Sequence, residues 1–553
     1  MAQAQHPKGI HARVLLTSVF GPYAQDDEFG SRSINPMELY QNQVTREQGP
    51  FSLRMFHGSW GIKLIQHNIS APSTLLDFPS RARFIRELTH QRYDVVGISG
   101  IIVNVWKVRE MCRLAREHSP HSQIVVGGHV TAIPGIERLV DADHLVKGEG
   151  VAWMRAYLGE DPAQPIVHPP IASSFGFRIM GLPMSHGVGR AATIIPSVGC
   201  PIGCDFCTTS AFFGGKGKSV RFLDNGADLF EVMCQAEEKL HLSTFFMMDE
   251  NFLLDRKRAM ELLELMKANG KAWSLYVFAS ANAVAKYELR ELVELGISWV
   301  WLGLESPNSS YSKLNGADTR ALTSKLRAHG IRVLGSTIVG LEHHTPGNIA
   351  GEIEQAVAHN TDFHQFMLFT PLPGTPLYQR MESEGRLLSE MDLADIHGQY
   401  QFNFQHKAIT PAESKSWLDW AFQLDFERNG PSLFRLIRTT VEGWRRYRDD
   451  LDPRIRERFA QERKEMAANY AAALWAMERY LHRSNARVSA RVREVRLELD
   501  RELGGLRRAY NRLIGPVLLW AARREARRFP HGRLTEPPTS IVRRNWNTVE
   551  AER

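Results

Sequence analysis

The chain has 553 residues, 43% hydrophobic and 23% charged, a composition that suits about two to four globular domains. No run approaches the roughly 18–20 apolar residues of a membrane helix, and the N-terminal MAQAQHPKGIHARVLL lacks a secretion-signal pattern, so a cytoplasmic protein is expected. The net charge of +7 is uneven: residues 431–553 carry +12 and the preceding 430 carry −5, which places the basic character in the tail and points to an anionic partner there.

In chain order, Arg13 to Val19 and Tyr93 to Ser99 read as short buried strands, Val103 to His118 as a helix, and Gln123 to Val126 as another strand closed by Gly127-Gly128. Residues 21–60, rich in Gly, Pro, Asn and Gln, read as an irregular insertion. Short apolar strands alternating with helices predict a doubly wound parallel sheet over residues 1–165. The Pro- and Ser-rich stretch that follows reads as a linker, 166–188. Over 189–400 the alternation resumes, with strands expected at Thr193–Pro196, Thr244–Met248, Ser274–Ala279, Trp299–Leu304, Arg332–Ile338 and Phe366–Phe369. That pattern suits a partial (β/α)6 barrel, with its chemistry at the C-terminal strand ends. Residues 401–553 read as a basic helical region, with long helices at Arg454 to Arg483 and Val488 to Arg508 and with interruptions at Gly504-Gly505 and Gly515-Pro516. The fold class is therefore α/β: a Rossmann-like domain, a partial barrel and an α-helical C-terminal region.

Three of the five cysteines, Cys200, Cys204 and Cys207, fall within eight residues just after the first barrel strand. An odd, sparse count argues against a disulfide framework. Thiolates at C-x3-C-x2-C spacing reach three corners of one iron–sulfur cubane, and Gly203 lets the loop wrap it closely. Cys112 and Cys234 lie on apolar faces of expected helices, so one iron is left without a protein thiolate, an open position of the kind a substrate-binding metal needs. Structural zinc would want a second ligand pair, which is not evident.

This C-x3-C-x-Phe-C segment resembles the radical S-adenosylmethionine (SAM) superfamily. Asp249-Glu250-Asn251, Gly303-Leu304-Glu305-Ser306 and Pro371-Leu372-Pro373-Gly374-Thr375-Pro376 resemble further segments of that family. The resemblance implies a [4Fe–4S] cluster on Cys200, Cys204 and Cys207, SAM chelated at the open iron, and reductive cleavage of SAM to a 5′-deoxyadenosyl radical. It places SAM contacts at Phe206, Asp249, Glu250, Ser280, Glu305 and Thr337. In the N-terminal region Asp94 to Ser99, Val126 to His129 and Lys147 to Gly150 resemble the cobalamin (B12)-binding domain often fused ahead of such barrels. Small residues after parallel strands let a flat corrin approach the backbone. The resemblance implies cobalamin contacts at Ser18, Ser99, Gly127, Gly128, His129 and Glu149. The D-x-H-x-x-G segment of many cobalamin proteins is replaced here by Thr17-Ser18-Val19-Phe20-Gly21-Pro22, which leaves cobalt no histidine lower ligand.

The expectation is a cobalamin-dependent methyltransferase acting on an unactivated carbon of a small molecule or lipid, driven by an external one-electron reductant. An oxidative cyclase of the same family, an RNA-modifying methylthiotransferase and a non-catalytic cluster or cobalamin sensor are the alternatives. Arg523, Arg524, Arg527 and Arg528 beside the apolar run Leu513 to Trp520 suit first a helical cap packed on the barrel with a solvated Arg-rich face and second peripheral contact with anionic lipid, whereas the sparse aromatics there disfavour nucleic acid.

Overall fold

The computed structural model describes residues 5–21, 28–30, 38–53, 58–174, 178–180, 182–183, 190–304, 318–469, 471–502, 505–528 and 539–546. The N-terminal domain carries β1 (Val14–Ser18), β2 (Ser73–Asp77), β3 (Val95–Ser99), β4 (Gln123–Gly127) and β5 (His144–Val146), with α1 (Trp60–His67), α2 (Arg81–His90), α3 (Val105–His118) and α4 (Gly150–Tyr157). These strands are parallel in the order β2-β1-β3-β4-β5. Val14, Leu15, Val95, Val96, Ile124 and Val126 are all fully buried because helices cover both faces, which is why the strands read as unbroken apolar runs. The chain order reverses between β1 and β3, and an open α/β sheet binds its ligand at such a switch point, outside the carboxyl ends of the strands. β2 and β5 were not foreseen. Ser73-Thr74 gives β2 a polar first half, and β5 is only three residues long.

The second sheet contains β6 (Ile171–Ser174), β7 (Arg190–Ile194), β8 (Thr244–Met247), β9 (Ser274–Ser280), β10 (Ile297–Gly303), β11 (Arg332–Val339) and β12 (Phe363–Leu368) in sequential order. β7 to β12 are parallel, the six expected strands of a partial barrel. β6 runs antiparallel on the β7 edge, so the stretch read as linker supplies a strand. β12 begins three residues before the expected Phe366, because His364 is as buried as its apolar neighbours and continues the strand. The helices of this layer are α5 (Thr208–Phe212), α6 (Gly226–Leu240), α7 (Arg256–Ala268), α8 (Ala281–Val284), α9 (Leu289–Glu294), α10 (Thr319–Ala328), α11 (Ile349–Ala358) and α12 (Pro376–Ser383). Of the stretch read as an irregular insertion, Leu39–Val44 and Arg46–Phe51 are short helical turns that reach across to the barrel. There Val44, Phe51 and Leu53 join one core with Leu334, Phe363 and the C-terminal helices, and the Tyr40 ring meets Phe363 at 5.3 Å.

The C-terminal region is α13 (Pro411–Asn429), α14 (Ser432–Tyr447), α15 (Pro453–Asn469), α16 (Ala471–Leu481), α17 (Ala486–Glu502) and α18 (Gly505–Arg528). Thr410 and Glu413 form a reciprocal capping box, with Pro411 at the first helical position, which fixes where α13 starts. The buried pair Arg435–Asp425 (2.8 Å) ties α14 to α13, and Arg435 also donates to the Thr361 carbonyl just before β12. Contrary to expectation, α18 runs through Gly515-Pro516. A Cβ at Gly515 would lie 2.6 Å from the Trp475 ring, so this glycine permits close packing of α18 on α16. After α18 the chain returns to the first domain, where β13 (Ser540–Arg544) pairs antiparallel with β2. Arg543 meets Glu87 at 2.6 Å, and the Trp546 indole N–H donates to the Ser73 carbonyl. Part of the basic tail therefore serves an internal contact. No helix among the described residues is long and apolar enough to cross a membrane.

Candidate active site

The loop from Cys200 to Cys207 leaves the end of the β7 segment, and Cys207 begins α5. All three cysteines are half-buried. The turn is closed by the Cys207 N–H donating to the Cys204 carbonyl (3.1 Å), and the Ser210 hydroxyl anchors its start on the Cys200 carbonyl (2.8 Å). Gly203 has φ +72°, and a Cβ there would lie 2.5 Å from the Cα and Cβ of Lys216. Burial first, then the neighbouring Cys207, Cys204 and Glu250, push the Cys200 thiol up to about 11 against the pull of the Ile202 backbone N–H. Neighbours that disfavour one another's charge keep such thiols protonated until a cation among them stabilises the thiolates, which suits a metal cluster.

The donor set fits a cubane better than one ion. Zinc–thiolate bonds of about 2.3 Å place tetrahedral sulfurs roughly 3.8 Å apart. Yet the single described group of three His, Cys, Asp or Glu side chains with ligating atoms all within 4.8 Å is His343, His344 and Glu352, not the cysteines. Cys112 is on the fully buried face of α3, where burial pushes it up to about 12, and Cys234 lies on α6 beside Glu237 and Lys271. Among the described residues no fourth thiolate joins the three.

The strand ends around this loop sort the expected SAM contacts. Asp249 is held by the buried Arg258 guanidinium and by the Asn251 N–H (3.1 Å), so its carboxylate shapes the loop after β8. Asn251 reaches the end of β9: its carbonyl oxygen accepts from the Ser280 N–H (3.0 Å) and its amide donates to the Ser280 hydroxyl (3.0 Å). Glu250 projects where solvent reaches it, and the surrounding protein, then Asp249, push its carboxyl up to about 7. Phe206 packs with Phe369, 6.5 Å between rings, at the end of β12. Thr337 faces the outer helix layer, where its hydroxyl meets His364 Nε2 at 2.9 Å. Strand alternation instead turns Ser336 and Ile338 inward, and Ser336 donates to Gln365 (3.0 Å), a pair that sequence reasoning missed. Glu305 lies outside the described residues, as does Ser306.

The expected cobalamin contacts gather at the carboxyl edge of the first sheet. Ser99 pairs with Gly127 in register. Gly128 has φ +83°, and a Cβ there would strike the Gly100 carbonyl at 2.5 Å, so the turn requires glycine. Two expected contacts also make bonds within the protein: Ser18 donates to Asp77 (2.7 Å) and accepts from the Phe78 N–H, and Glu149 caps α4 by accepting from the Val151 and Ala152 N–H groups. His129 stacks on Phe212 of α5 at 4.5 Å and presents an edge to Phe213. Its buried Nε2 has no protein partner, and burial pushes the ring down to about 4, which keeps it neutral. The Pro371-to-Pro376 turn makes a second bridge. A Cβ at Gly374 would meet Ala132 at 2.7 Å, and the Leu377 N–H donates to the Asp205 carbonyl inside the cysteine loop (3.0 Å). One turn thus braces both the cysteine loop and the ligand edge of the first domain.

Fold and site together define a three-thiolate iron–sulfur barrel whose cluster loop abuts a Rossmann-like ligand domain. The Radical SAM superfamily pattern matches residues 194–356 and the B12 binding domain pattern matches residues 56–158. The chain therefore carries a radical SAM domain with a B12 binding domain ahead of it. It is 30% identical over 235 residues to bacteriochlorophyllide d C-12(1)-methyltransferase of Chlorobaculum tepidum, covering 41% of this chain and 50% of that protein. It is 24% identical to hopanoid C-2 methylase of Rhodopseudomonas palustris, covering 60% of this chain and 63% of that protein. The chain therefore spans between half and two thirds of the length of these relatives. The solved structure of the radical SAM methyltransferase TsrM from Kitasatospora setae superposes with a TM-score of 0.50 at 16% identity, over 83% of this chain and 99% of that one, a likeness of fold.

Proposed function

We propose that this protein is a cobalamin-dependent radical SAM methyltransferase acting on an unactivated carbon of a small-molecule or lipid substrate. The observation that carries the reading is the three-cysteine loop pressed, through α5 and His129, against the ligand edge of the B12 domain. When bound, the cluster, SAM and cobalamin supply the hydrogen abstraction and the methyl group. The chain's own residues hold and align. Cys200, Cys204 and Cys207 ligate the cluster, Gly203 lets the backbone close on it, and the Asn251–Ser280 bonds fix the strand ends facing it. Phe206, Glu250 and Glu305 are the remaining candidates for SAM contact, with Asp249 acting through the loop it shapes. Ser99, Gly127, Gly128 and His129 form the surface offered to the corrin; Ser18 and Glu149 support it from behind. An external one-electron reductant is required.

The basic tail supports peripheral contact with anionic lipid. Leu506, Tyr510, Leu513, Val517 and Trp520 are all exposed along one face of α18, next to exposed Arg523, Arg524, Arg527 and Arg528.

Anaerobic reconstitution tests the central reading by iron, sulfide and corrin absorbance measured together. Loss of iron in Cys200→Ala with corrin retained is expected; unchanged iron content refutes it. An oxidative cyclase is the second reading, favoured by 24% identity to anaerobic magnesium-protoporphyrin IX monomethyl ester cyclase of Rubrivivax gelatinosus over 54% of this chain. Product mass separates them, a gain of one methylene against a loss of hydrogen.

A further inference from the structure

The two faces of the barrel sheet are packed very differently. On the outer face Phe245, Met247, Leu275, Val277, Val300 and Leu302 are at most 2% exposed beneath the helices. Their inward-facing neighbours Phe246, Tyr276, Phe278, Trp299 and Trp301 are only half-buried, although they lie inside the fold. In a closed barrel such positions interdigitate into a solid core. Here the sheet stays open between its β6 and β12 edges, and the inner wall is left accessible.

These inward side chains form a continuous ladder of rings because parallel register aligns them. Phe246 pairs with Tyr276, Tyr276 with Trp299, and Phe278 with Trp301. Phe278 stacks on Trp301 at 5.0 Å, Phe246 lies 5.7 Å from Phe278, and Trp60 of the B12 domain reaches over to Phe246 at 5.8 Å. Closer to the N-terminal end Tyr276 meets Trp299 at 5.5 Å, and Trp299 stacks on Phe363 at 5.3 Å. Toward β12 the wall is plugged by Tyr40 and its neighbours, a cluster on which Trp299 and Trp301 of β10 also pack, so the portion farthest from the plug is that of β8 and β9 with the Trp301 ring that stacks on Phe278. Among the described inward positions of β8 to β11 the charged side chain is Arg332 at the N-terminal end of β11, and it is already held by Glu462 (3.0 Å) and the Ser298 carbonyl. Polar groups gather on one side nearer the mouth, where Ser336 donates to Gln365 and Gln365 donates to Gln43 (2.9 Å).

Half-exposed aromatic area inside a fold is burial that folding has not completed, and a contiguous apolar surface of this kind marks a ligand site. A phosphorylated or peptidic substrate would find no counter-charge on the wall and would lose its hydration there. We infer that the substrate is a neutral, ring-bearing apolar molecule, polycyclic or aryl, whose flat body lies against Phe246, Phe278 and Trp301 with any hydroxyl or carbonyl turned toward Ser336. This substrate class rests on the barrel being the catalytic domain as proposed above.

The test uses the reconstituted full chain and the neutral aryl probe N-phenyl-1-naphthylamine, whose fluorescence rises on entering an apolar site. Saturable binding is expected, displaced by a neutral sterol but not by a trinucleotide or a tripeptide. Trp301→Ala and Phe278→Ala should each weaken probe binding at least about tenfold at unchanged iron content, and Trp301→Phe should restore most of it. Probe affinity unaltered in both alanine variants, or displacement by the trinucleotide as readily as by the sterol, overturns the inference. SAM cleavage by the same preparations reports separately on the enzymatic reading. Cleavage with ladder-independent probe binding overturns the substrate class alone, and ladder-dependent binding without cleavage upholds the apolar site while overturning the enzymatic reading.

Discussion

Substitution of Gly203 by alanine isolates the part of the cluster loop that depends on backbone shape. The residue sits at φ +72°, where a non-glycine residue costs about 1–2 kcal/mol. The added Cβ would also lie 2.5 Å from the Lys216 Cα and Cβ and 2.9 Å from its nitrogen, so backbone as well as side chain must move, an overpacking cost of about 1–3 kcal/mol. Together these give about 2–5 kcal/mol, concentrated in a loop with few hydrogen bonds of its own. The expected outcome is therefore displacement of the loop, not global unfolding. Iron and sulfide after anaerobic reconstitution should fall well below those of the parent, while the circular dichroism spectrum is kept. Gly215→Ala is the matched control. Its φ of +81° carries the same backbone cost, but nothing lies within 4 Å of the added Cβ, so it should retain iron. If Gly203→Ala loads a full cluster while Gly215→Ala does not, the argument from close approach to Lys216 is wrong.

Three further outcomes follow from burial and charge. His344, His364 and His397 are pushed down by burial, to about 4, 3 and 3 respectively. Between pH 6.5 and about 4 the unfolded chain binds protons that the native chain refuses, so stability is full above 6.5 and falls on acidification by about 1.4 kcal/mol per pH unit for each histidine; denaturant midpoints of the cluster-free protein that do not move across this range would contradict it. Asp425→Ala strands the Arg435 guanidinium in the core and should cost about 3–5 kcal/mol in denaturant unfolding, more than Asp425→Ala combined with Arg435→Met; a double-variant loss equal to the sum of the two single losses would show the pair to be uncoupled. On α18, Leu513→Glu with Trp520→Glu should abolish co-sedimentation with anionic vesicles and leave cluster content intact, whereas undiminished sedimentation would remove that helix as the lipid contact.

Several features were legible in the residues alone. The spacing of Cys200, Cys204 and Cys207 is local chemistry, since three thiolates seven residues apart or less must share whatever they bind. The strands β1, β3 and β4 announced themselves because each is buried on both faces and carries an apolar run, and those of the barrel because apolar or aromatic side chains fill most positions of both faces. β2, β5, β6 and β13 did not, because polar or very short segments become strands only when an existing sheet edge offers hydrogen-bond partners. The continuity of α18 through Gly515-Pro516 was equally invisible, since packing against Trp475 overrides local helix preference.

For the site, sequence determined which chemistry is present, and tertiary structure decided which side chains take part in it. A strand's period of two means that a shift of one residue turns a side chain from lumen to helix layer, and this is why Thr337 faces His364 while Ser336 faces inward. Glu149 and Ser18 carry the groups expected at those strand ends, and the fold also bonds them to a helix terminus and to the Asp77 carboxylate. The three cysteines needed no fold to declare themselves. That their loop is braced by the turn at Gly374 and lies beside His129 of the B12 domain depended on contacts between residues far apart in the chain, which only the packed molecule brings together.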